Sequence, residues 1–552
     1  MIRPITYTSY VLLIALSGFL FFYNLGDRLF WNDEAETALL AVNTIKYGVP
    51  KVFDGKNTIS YYGPSTDANA SMVWTWSPWL EKYLAAGSIA LLGQNTVAGR
   101  LPFALIGFAA VVFFLYASIR IYKDHEIAFI GLVLFVSSEI VILHTRQCRY
   151  YSIIIFSQIW LIYAVYCLLR GEIKKGISQI AISLSVQFYS NYIITLANLL
   201  SIGIFAIAAR GRYPRILRHA TAAFLCFFAV ALPWILYSQM WNQASYIGGD
   251  NIFHKLIRYL VEIHFHVIPL FLLLIPLVFY RVKTARFEDS RDDITLFLWI
   301  SVPTHLAVLL IPPGIFQRYF MALIPVLILL VSVILVRFVK SAALRAIIVL
   351  LLCATNILSY ISVYPMKLLN PSWMPLIIHS ARMPIVNYIS EITRPHTDRL
   401  KDVVNFFKIN AAQGDSYCVP QSTSRLYDSA IALTYYLDIK QIDSKGGCLK
   451  AMAEMPDWIF SEGFSGGTDW FFNDTIKDIE TFYEPVDLYV HNPQKSGWPT
   501  PQYLSKDVKH LVNLHNSFKC GSIPDPDIHD SFTSKEITKL VVYKKRKPPP
   551  QR

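Results

Sequence analysis

Long apolar runs alternate with short polar connections along most of this chain, and the alternation stops near Pro365. A run that crosses a bilayer needs about 20 apolar residues. Such runs fall near 8–25, 101–121, 127–143, 151–169, 176–191, 192–209, 219–238, 263–280, 294–311, 319–336 and 345–363. The pattern predicts a mainly α, polytopic helical membrane protein with about 11 spans. The connections on one side are basic, with Lys123, then Arg170, Lys174 and Lys175, then Arg210, Arg212, Arg215 and Arg218, then Arg281, Lys283, Arg286 and Arg291, and finally Arg337, Lys340 and Arg345. Basic connections stay in the cytoplasm. The amino terminus is therefore expected inside, and the long 26–100 loop and everything after the last span outside. No small-residue cleavage site follows the first run, which reads as a span rather than a cleaved leader.

The 26–100 loop carries two further helical patterns. Leu39, Val42 and Ile45 recur at helical spacing before Gly48-Val49-Pro50, which predicts an amphipathic helix over Ala35–Tyr47 lying at the interface. Trp74, Trp76 and Trp79 precede an apolar stretch over 84–93, too short to span and framed by aromatics, and read as a second flat helix. The organisation expected is a membrane domain over 1–364, an exported domain over 365–546 and a disordered tail over 547–552. Helices at 401–410 and 430–437 alternate with strands at 415–419, 457–460 and 540–544, the pattern of a small α/β domain.

Composition agrees: 54% of the 552 residues are hydrophobic and 14% aromatic. The net charge of +12 suggests nucleic acid at first sight. Its placement on alternate connections makes it topological instead, with membrane lipids as partners and no nucleic acid. Of the seven cysteines, Cys148, Cys167, Cys226 and Cys353 fall in or near spans as small apolar residues, while Cys418, Cys448 and Cys520 lie in the exported region with no fixed pairing.

Chemistry gathers on the exported side. Asp33-Glu34 follows the first span, and paired carboxylates at a membrane mouth are costly unless solvated, paired or bound to a cation. Asn32 or Asp33 also suits a helix N-cap, with Glu36 completing a capping box, so this pair reads equally as the start of a helix. In the turn between the third and fourth spans, Arg146 and Arg149 stand three apart, near one helical face, followed by Tyr150 and Tyr151. Isolated arginines there snorkel to headgroups, whereas a guanidinium pair presents a donor fork suited to phosphate. Gln317-Arg318-Tyr319 repeats the Arg-Tyr pairing at another outer turn, as an interface anchor or as part of the same site. Glu262, His264 and His266 open the eighth span. The alternate histidines point apart on a helix, which leaves a polar interface or a single metal ligand. Pro524–Asp530 reads as a turn-rich loop without chemistry.

Taken in order, these motifs resemble the GT-C superfamily of membrane glycosyltransferases, in the bacterial branch related to protein O-mannosyltransferases and the lipid A aminoarabinose transferase. The resemblance rests on Asp33-Glu34-Ala35-Glu36-Thr37-Ala38, Gly48-Val49-Pro50, Ser77-Pro78-Trp79-Leu80, Ala98-Gly99-Arg100-Leu101-Pro102, Arg146–Tyr151 and Gln317-Arg318-Tyr319, and it covers about residues 8–340. It implies an inverting hexosyl or pentosyl transfer from a polyprenyl-phosphate-linked sugar to a lipid, glycan or protein acceptor. The reaction would take place on the exported face of a bacterial cell membrane. It further implies Asp33 and Glu34 as the acidic catalytic motif, and Arg146, Arg149, Tyr150, Arg318 and Tyr319 as holders of the donor phosphate. A divalent metal ion enters as a family possibility, with Glu34, Glu262 and His264 as candidate ligands. This chain departs from the aminoarabinose transferase pattern at Trp76-Ser77-Pro78, where that pattern has Glu-Lys-Pro. No family motif covers the exported domain, which is expected to be accessory to the chemistry.

A physical reading of the same residues agrees. A transfer through an oxocarbenium-like state needs a carboxylate to take the acceptor proton and cations to receive the departing phosphate. The competing expectation is a transporter or flippase of lipid-linked sugars, which explains a cavity with arginines but not the paired carboxylates, and inverted repeats are not visible. A scaffold acting through its exported domain leaves the outer-turn charges unexplained.

Overall fold

The computed structural model describes residues 7–60, 64–242, 252–280, 290–312, 317–359, 361–362, 383–393, 399–418, 427–437, 439–441, 455–460, 481–491 and 537–546. The expected tail at 547–552, the boundary at 364–365, the 524–530 loop, Cys448 and Cys520 lie outside them.

Helices occupy the place of every expected span. They are α1 (Tyr7–Phe22), α5 (Thr96–Tyr122), α6 (His125–Ser137) with α7 (Glu139–Thr145), α8 (Tyr151–Leu169), α9 (Ile173–Phe188), α10 (Tyr192–Ala209) and α11 (Ile216–Ser238). After these come α12 (Ile252–His266), α13 (Phe271–Tyr280), α14 (Ser290–Leu309), α15 (Leu323–Phe338) and α16 (Ala342–Ala354). By length and composition five described helices can cross a membrane alone, or six if α6 and α7, bent by 60° at their break, count as one span. The helices α1, α15 and α16 are apolar but shorter. The outer helices expose their apolar side chains, with Leu225, Leu236 and Leu350 among the most exposed. Contiguous apolar exposure of that kind belongs in lipid. The centre of the bundle is α8, which packs on α5 and α9 with nearly all of its apolar window buried.

The expected span at 263–280 is divided. Its first part is the end of α12, an amphipathic helix that starts at Ile252 and stops at His266, and α13 resumes at Phe271. Pro269 lies in the gap, where it has no N–H to donate and biases Ile268 away from helix, while Glu262 and His266, one turn apart, polarise one face of α12.

Two helices form in the 26–100 loop, besides the short turn α3 (Pro64–Asp67). The first, α2 (Asn32–Tyr47), ends where Gly48 adopts φ 77°, a left-handed cap that a side chain would strain. It differs from the expected interfacial helix in being buried along most of its length, packed between α4 (Leu80–Leu92) and the exported domain. The second, α4, does present Leu91, Leu92 and Tyr83 outward, as an interface helix should.

The described part of the C-terminal region contains α17 (Pro384–Thr393), α18 (Arg399–Asn410) and α19 (Tyr427–Tyr436). Its strands are β1 (Ser416–Cys418), β2 (Lys440–Gln441), β3 (Trp458–Phe460), β4 (Tyr483–His491) and β5 (Ile537–Lys545). They form a five-stranded sheet in the order β2-β1-β3-β5-β4. β1 runs parallel to β2 and β3, and β5 runs antiparallel to β3 and β4. Helices predicted at 401–410 and 430–437 and strands at 415–419, 457–460 and 540–544 are present, and β2 and β4 complete the sheet. Phe407, Tyr417, Trp458 and Phe460 fill its core. The domain rests on the first exported loop through α19, which packs on α2.

Candidate active site

Helix α2 does not use Asn32 or Asp33 as its cap. Trp31 takes the N-cap position without a side-chain hydrogen bond, and Asn32 is the first helical residue. Glu36 does not close a capping box either, because its carboxylate is 3.1 Å from Arg149 Nη1. The acidic side chains at the start of α2 are thus directed at arginines rather than at orphan backbone donors.

Asp33 faces Arg318. Arg318 Nη1 donates to Asp33 Oδ2, and Arg149 Nη2 lies 3.8 Å from the same oxygen. Tyr151 accepts a hydrogen bond from Arg318, and the Tyr319 ring lies 5.7 Å from the guanidinium of its neighbour. Arg149 is enclosed by acceptors. Its Nη1 donates to the Asp33 carbonyl at 3.1 Å and to Thr37 Oγ1 at 2.7 Å, and stands 3.6 Å from Glu81 Oε1. Tyr150 flanks it, with the ring 5.7 Å from the guanidinium and its N–H donated to Glu81 Oε2 at 2.8 Å.

Glu34 turns the other way. Arg100 Nε and Nη2 donate to its two oxygens at 2.8 and 2.6 Å, and the Cys148 N–H donates to Oε1 at 2.7 Å. Arg100 also donates to the carbonyls of Leu25, Arg28 and Leu29, so that one guanidinium ties the first span, its exit loop, α2 and α5 together. Side-chain exposure separates the two acids: 13% for Asp33 and 15% for Arg318, against 1% for Glu34. Asp33 can meet a substrate, whereas Glu34 is enclosed by its partners.

Arg146 and Arg149 do not share a face as expected. Helix α7 ends at Thr145, and the chain turns irregularly through Cys148 and Arg149 before α8 begins. The helical spacing rule therefore fails here, and the two guanidinia diverge. Arg146 Nη1 donates to the Leu20 carbonyl at 2.9 Å and lines a separate cavity of about 50 Å³ with Arg28, Arg100, Gln147 and Tyr388.

The candidate metal ligands are also dispersed. Glu34 is spent on Arg100, and Glu262 lies 3.7 Å from His266. His264 uses both ring nitrogens, accepting the Leu270 N–H at Nδ1 and donating from Nε2 to the Ser359 carbonyl, with Ser362 Oγ 3.0 Å from Nε2. No three of the described His, Cys, Asp and Glu side chains form a metal-holding group. These residues as arranged do not fit the expected ion.

Three charged residues that matter here were not singled out for chemistry in the sequence. Arg100 is one. The others are Glu81 and Lys82, fully buried in the first turn of α4. Lys82 Nζ donates to Glu81, to Ser77 Oγ at 2.7 Å and to the Pro78 carbonyl. The ammonium thus reaches Ser77 from the following turn, at the position where the resemblance lacked a lysine. The available signal was an adjacent charge pair entering an apolar stretch, which is costly unless used.

The electrostatics close on themselves. Asp33, Glu34, Glu36 and Glu81 face Lys82, Arg100, Arg149 and Arg318. Burial pushes the Glu36 carboxyl up to about 7, with Arg149 and Lys82 pulling it down and Asp33 and Glu81 adding to the rise. Burial also opposes the charge on Arg149, but Glu81, Asp33 and Glu36 outweigh it and hold the guanidinium protonated. When Glu36 carries its proton, the cluster has one positive charge in excess, a potential that attracts an anion.

No protein-family model matches the chain, and no curated protein sequence matches it. Solved structures do. Two crystal structures of ArnT from Cupriavidus metallidurans are similar over nearly the whole length of both chains. The one bound to undecaprenyl phosphate is 12% identical, with a TM-score of 0.54, covering 98% of this chain and 98% of that one. The apo form is 13% identical, with a TM-score of 0.53 and 97% coverage of each. The Pmt1-Pmt2 protein O-mannosyltransferase complex of S. cerevisiae, bound to its sugar donor, matches over 45% of this chain and 35% of its own at a TM-score of 0.32. At these identities the likeness to ArnT establishes the fold alone: this chain shares ArnT's architecture over nearly its whole length, a bundle of apolar helices followed by a small α/β domain.

Proposed function

We propose that this membrane protein is an inverting glycosyltransferase that moves a sugar from a polyprenyl-phosphate donor to a lipid, glycan or protein acceptor on the exported face. The observation that carries the reading is the Asp33–Arg318 pair, in which Asp33 keeps 13% of its side chain exposed while the other acids of the cluster, Glu34, Glu36 and Glu81, are more deeply buried. The fold it shares with ArnT, a protein crystallised with undecaprenyl phosphate, supports the same donor class.

In this mechanism the donor phosphate competes with Asp33 for Arg318. A guanidinium fork suits a phosphate at least as well as a carboxylate, so donor binding releases Asp33 as a free base. The acceptor oxygen attacks the anomeric carbon from the face opposite the phosphate, and its proton passes to Asp33 as the sugar–phosphate bond breaks. The polyprenyl phosphate leaves with both electrons of that bond, and Arg318 stabilises its charge. Arg149 keeps Asp33, Glu36 and Glu81 in place and supplies field rather than contact. No step is routed through a metal ion.

The test is reconstitution in liposomes with polyprenyl-phosphate sugars of several types and a membrane extract as acceptor source. Release of free polyprenyl phosphate together with a glycosylated product is expected. Sugar appearing in the opposite leaflet still attached to its lipid, with no transfer, would replace this reading with a flippase. Orientation is checked separately. A reporter active only outside the cytoplasm should be active when fused after Asn410 and silent when fused after Arg212.

A further inference from the structure

The transfer chemistry proposed above draws on no described side chain of the C-terminal domain, yet that domain contributes one to the support of the site. Tyr436, at the end of α19, accepts the N–H of Phe30 at 2.7 Å and shares a hydrogen bond with Thr96 Oγ1 at 3.0 Å. Phe30 is fully buried. Tyr435 packs edge-on against its ring at 4.9 Å, and the Arg100 guanidinium lies 5.3 Å from the ring centre. Gly99 admits this approach, since a Cβ there would fall 2.4 Å from the ring. Arg100 in turn grips both oxygens of Glu34, which holds the Cys148 N–H and with it the turn that carries Arg149. A continuous series of contacts therefore runs from α19 through Phe30, Arg100 and Glu34 to the cations beside Asp33.

Other polar contacts between the domain and the first loop leave the Tyr436 hydroxyl out. Gln94 Nε2 donates to the Tyr435 carbonyl at 3.0 Å, Asn57 Nδ2 to the Ile439 carbonyl at 3.2 Å, and Lys401 lies 3.3 Å from Asp27. They dock the domain without engaging the Phe30 N–H.

We propose that Tyr436 is a positioning residue through which the exported domain holds the Glu34–Arg100 clamp, and hence the catalytic carboxylate, in register. The proposal rests on the transferase reading for its kinetic consequence but not for its structural one. Tyr436→Phe removes only the oxygen that receives the Phe30 N–H and leaves a buried donor unpaired. In the full-length protein, this variant is expected to lower kcat roughly tenfold while the donor KM stays within about twofold and the protein remains folded. The matched control is Gln94→Ala, which loosens the same docking surface by one hydrogen bond and should keep the parent kcat. The second readout is maleimide labelling of Cys148, which is fully buried, followed by mass spectrometry of its peptide. Labelling should accelerate in Tyr436→Phe and not in Gln94→Ala. Equal kcat and equal labelling in Tyr436→Phe and the parent would overturn the proposal, as would equal losses in both variants, which would reduce Tyr436 to one docking contact among several. If the parent transfers no sugar from any donor, the transferase reading falls, and Cys148 labelling alone still decides the role of Tyr436.

Discussion

Arg100 and Glu34 meet in a two-point ion pair, Nε to Oε1 at 2.8 Å and Nη2 to Oε2 at 2.6 Å, buried where the first span joins the first exported helix. Two parallel bonds give the pair direction as well as charge, and the backbone groups around it satisfy the remaining donors and acceptors. Removing one partner of such a pair leaves the other charge buried and uncompensated, at a cost of about 3–5 kcal/mol. Glu34→Gln is therefore expected to be strongly destabilised, more than any substitution at the half-open Asp33. Unfolding in detergent, followed by tryptophan fluorescence, measures it. A Glu34→Gln protein as stable as the parent would show that the carbonyls of Leu25, Arg28 and Leu29 suffice to hold Arg100.

The positions of the apolar helices were legible because run length in an apolar segment is a one-dimensional property, although only five or six of the described helices are long and apolar enough to cross a membrane. Breaks inside a run were not: 127–143 bends by 60° between α6 and α7, the helix in 345–363 stops at Ala354, and Pro269 interrupts 263–280, where average hydropathy conceals the break. In the exported domain β1, β3 and β5 were readable from their apolar content, but β4 alternates Glu484, Asp487 and His491 with apolar residues and did not stand out. At the site, Asp33, Arg149 and Arg318 could be placed by sidedness alone. Arg146 and Arg149 do not share the face that their spacing suggests, because helical spacing does not extend across the turn after Thr145. Arg100 and Glu81 find partners 66 and 69 residues away, a separation that no local pattern encodes.

Arg149 and Arg318 should respond differently to truncation. Arg149 stands among Asp33, Glu36 and Glu81, so Arg149→Ala leaves several buried acids unopposed and should lower stability and activity together. Arg318 meets Asp33 and Tyr151 at the open side. Arg318→Ala should keep the fold and raise the donor KM by roughly tenfold or more, and Arg318→Lys should recover only part of it, because an ammonium lacks the fork. Donor kinetics unchanged in Arg318→Ala would remove this residue from the phosphate site.

Glu36 makes both stability and donor binding depend on pH. Its carboxyl is raised to about 7 in the folded protein, chiefly by burial, from an ordinary 4.5. Between those values the folded chain holds a proton that the unfolded chain has released. Stability must then fall as pH rises through the window, by up to on the order of 3 kcal/mol, and level off above it. Donor affinity should weaken over the upper part of the same range as the excess positive charge disappears. Glu36→Gln keeps the shape without the titration and should flatten both profiles. Melting temperatures and donor KM at pH 5, 6, 7 and 8 decide the matter, and a parent profile identical to that of Glu36→Gln would assign the dependence elsewhere.

Asp33→Asn is the sharpest test of the mechanism. The helix-cap explanation no longer competes, because Trp31 holds the cap position and the Asp33 side chain is turned toward Arg318. Two roles remain to be separated, an ion-pair partner for Arg318 and a base for the acceptor hydroxyl. Asparagine retains an oxygen that accepts from Arg318 and removes the negative charge, so the fold should survive with little change in melting temperature. As a partner alone, Asp33 competes with the donor phosphate, and neutralising it should tighten donor binding without slowing turnover. As a base, its loss should lower kcat about 10²–10⁴-fold. Both effects are expected at once, with a donor KM equal to or below that of the parent and a kcat collapsed by orders of magnitude. The double variant Asp33→Asn/Arg318→Ala then restores weak donor binding without restoring kcat. Full turnover in Asp33→Asn would eliminate Asp33 as the base, leaving Glu36, whose raised carboxyl lies one turn away on the same helix, as the group to test next.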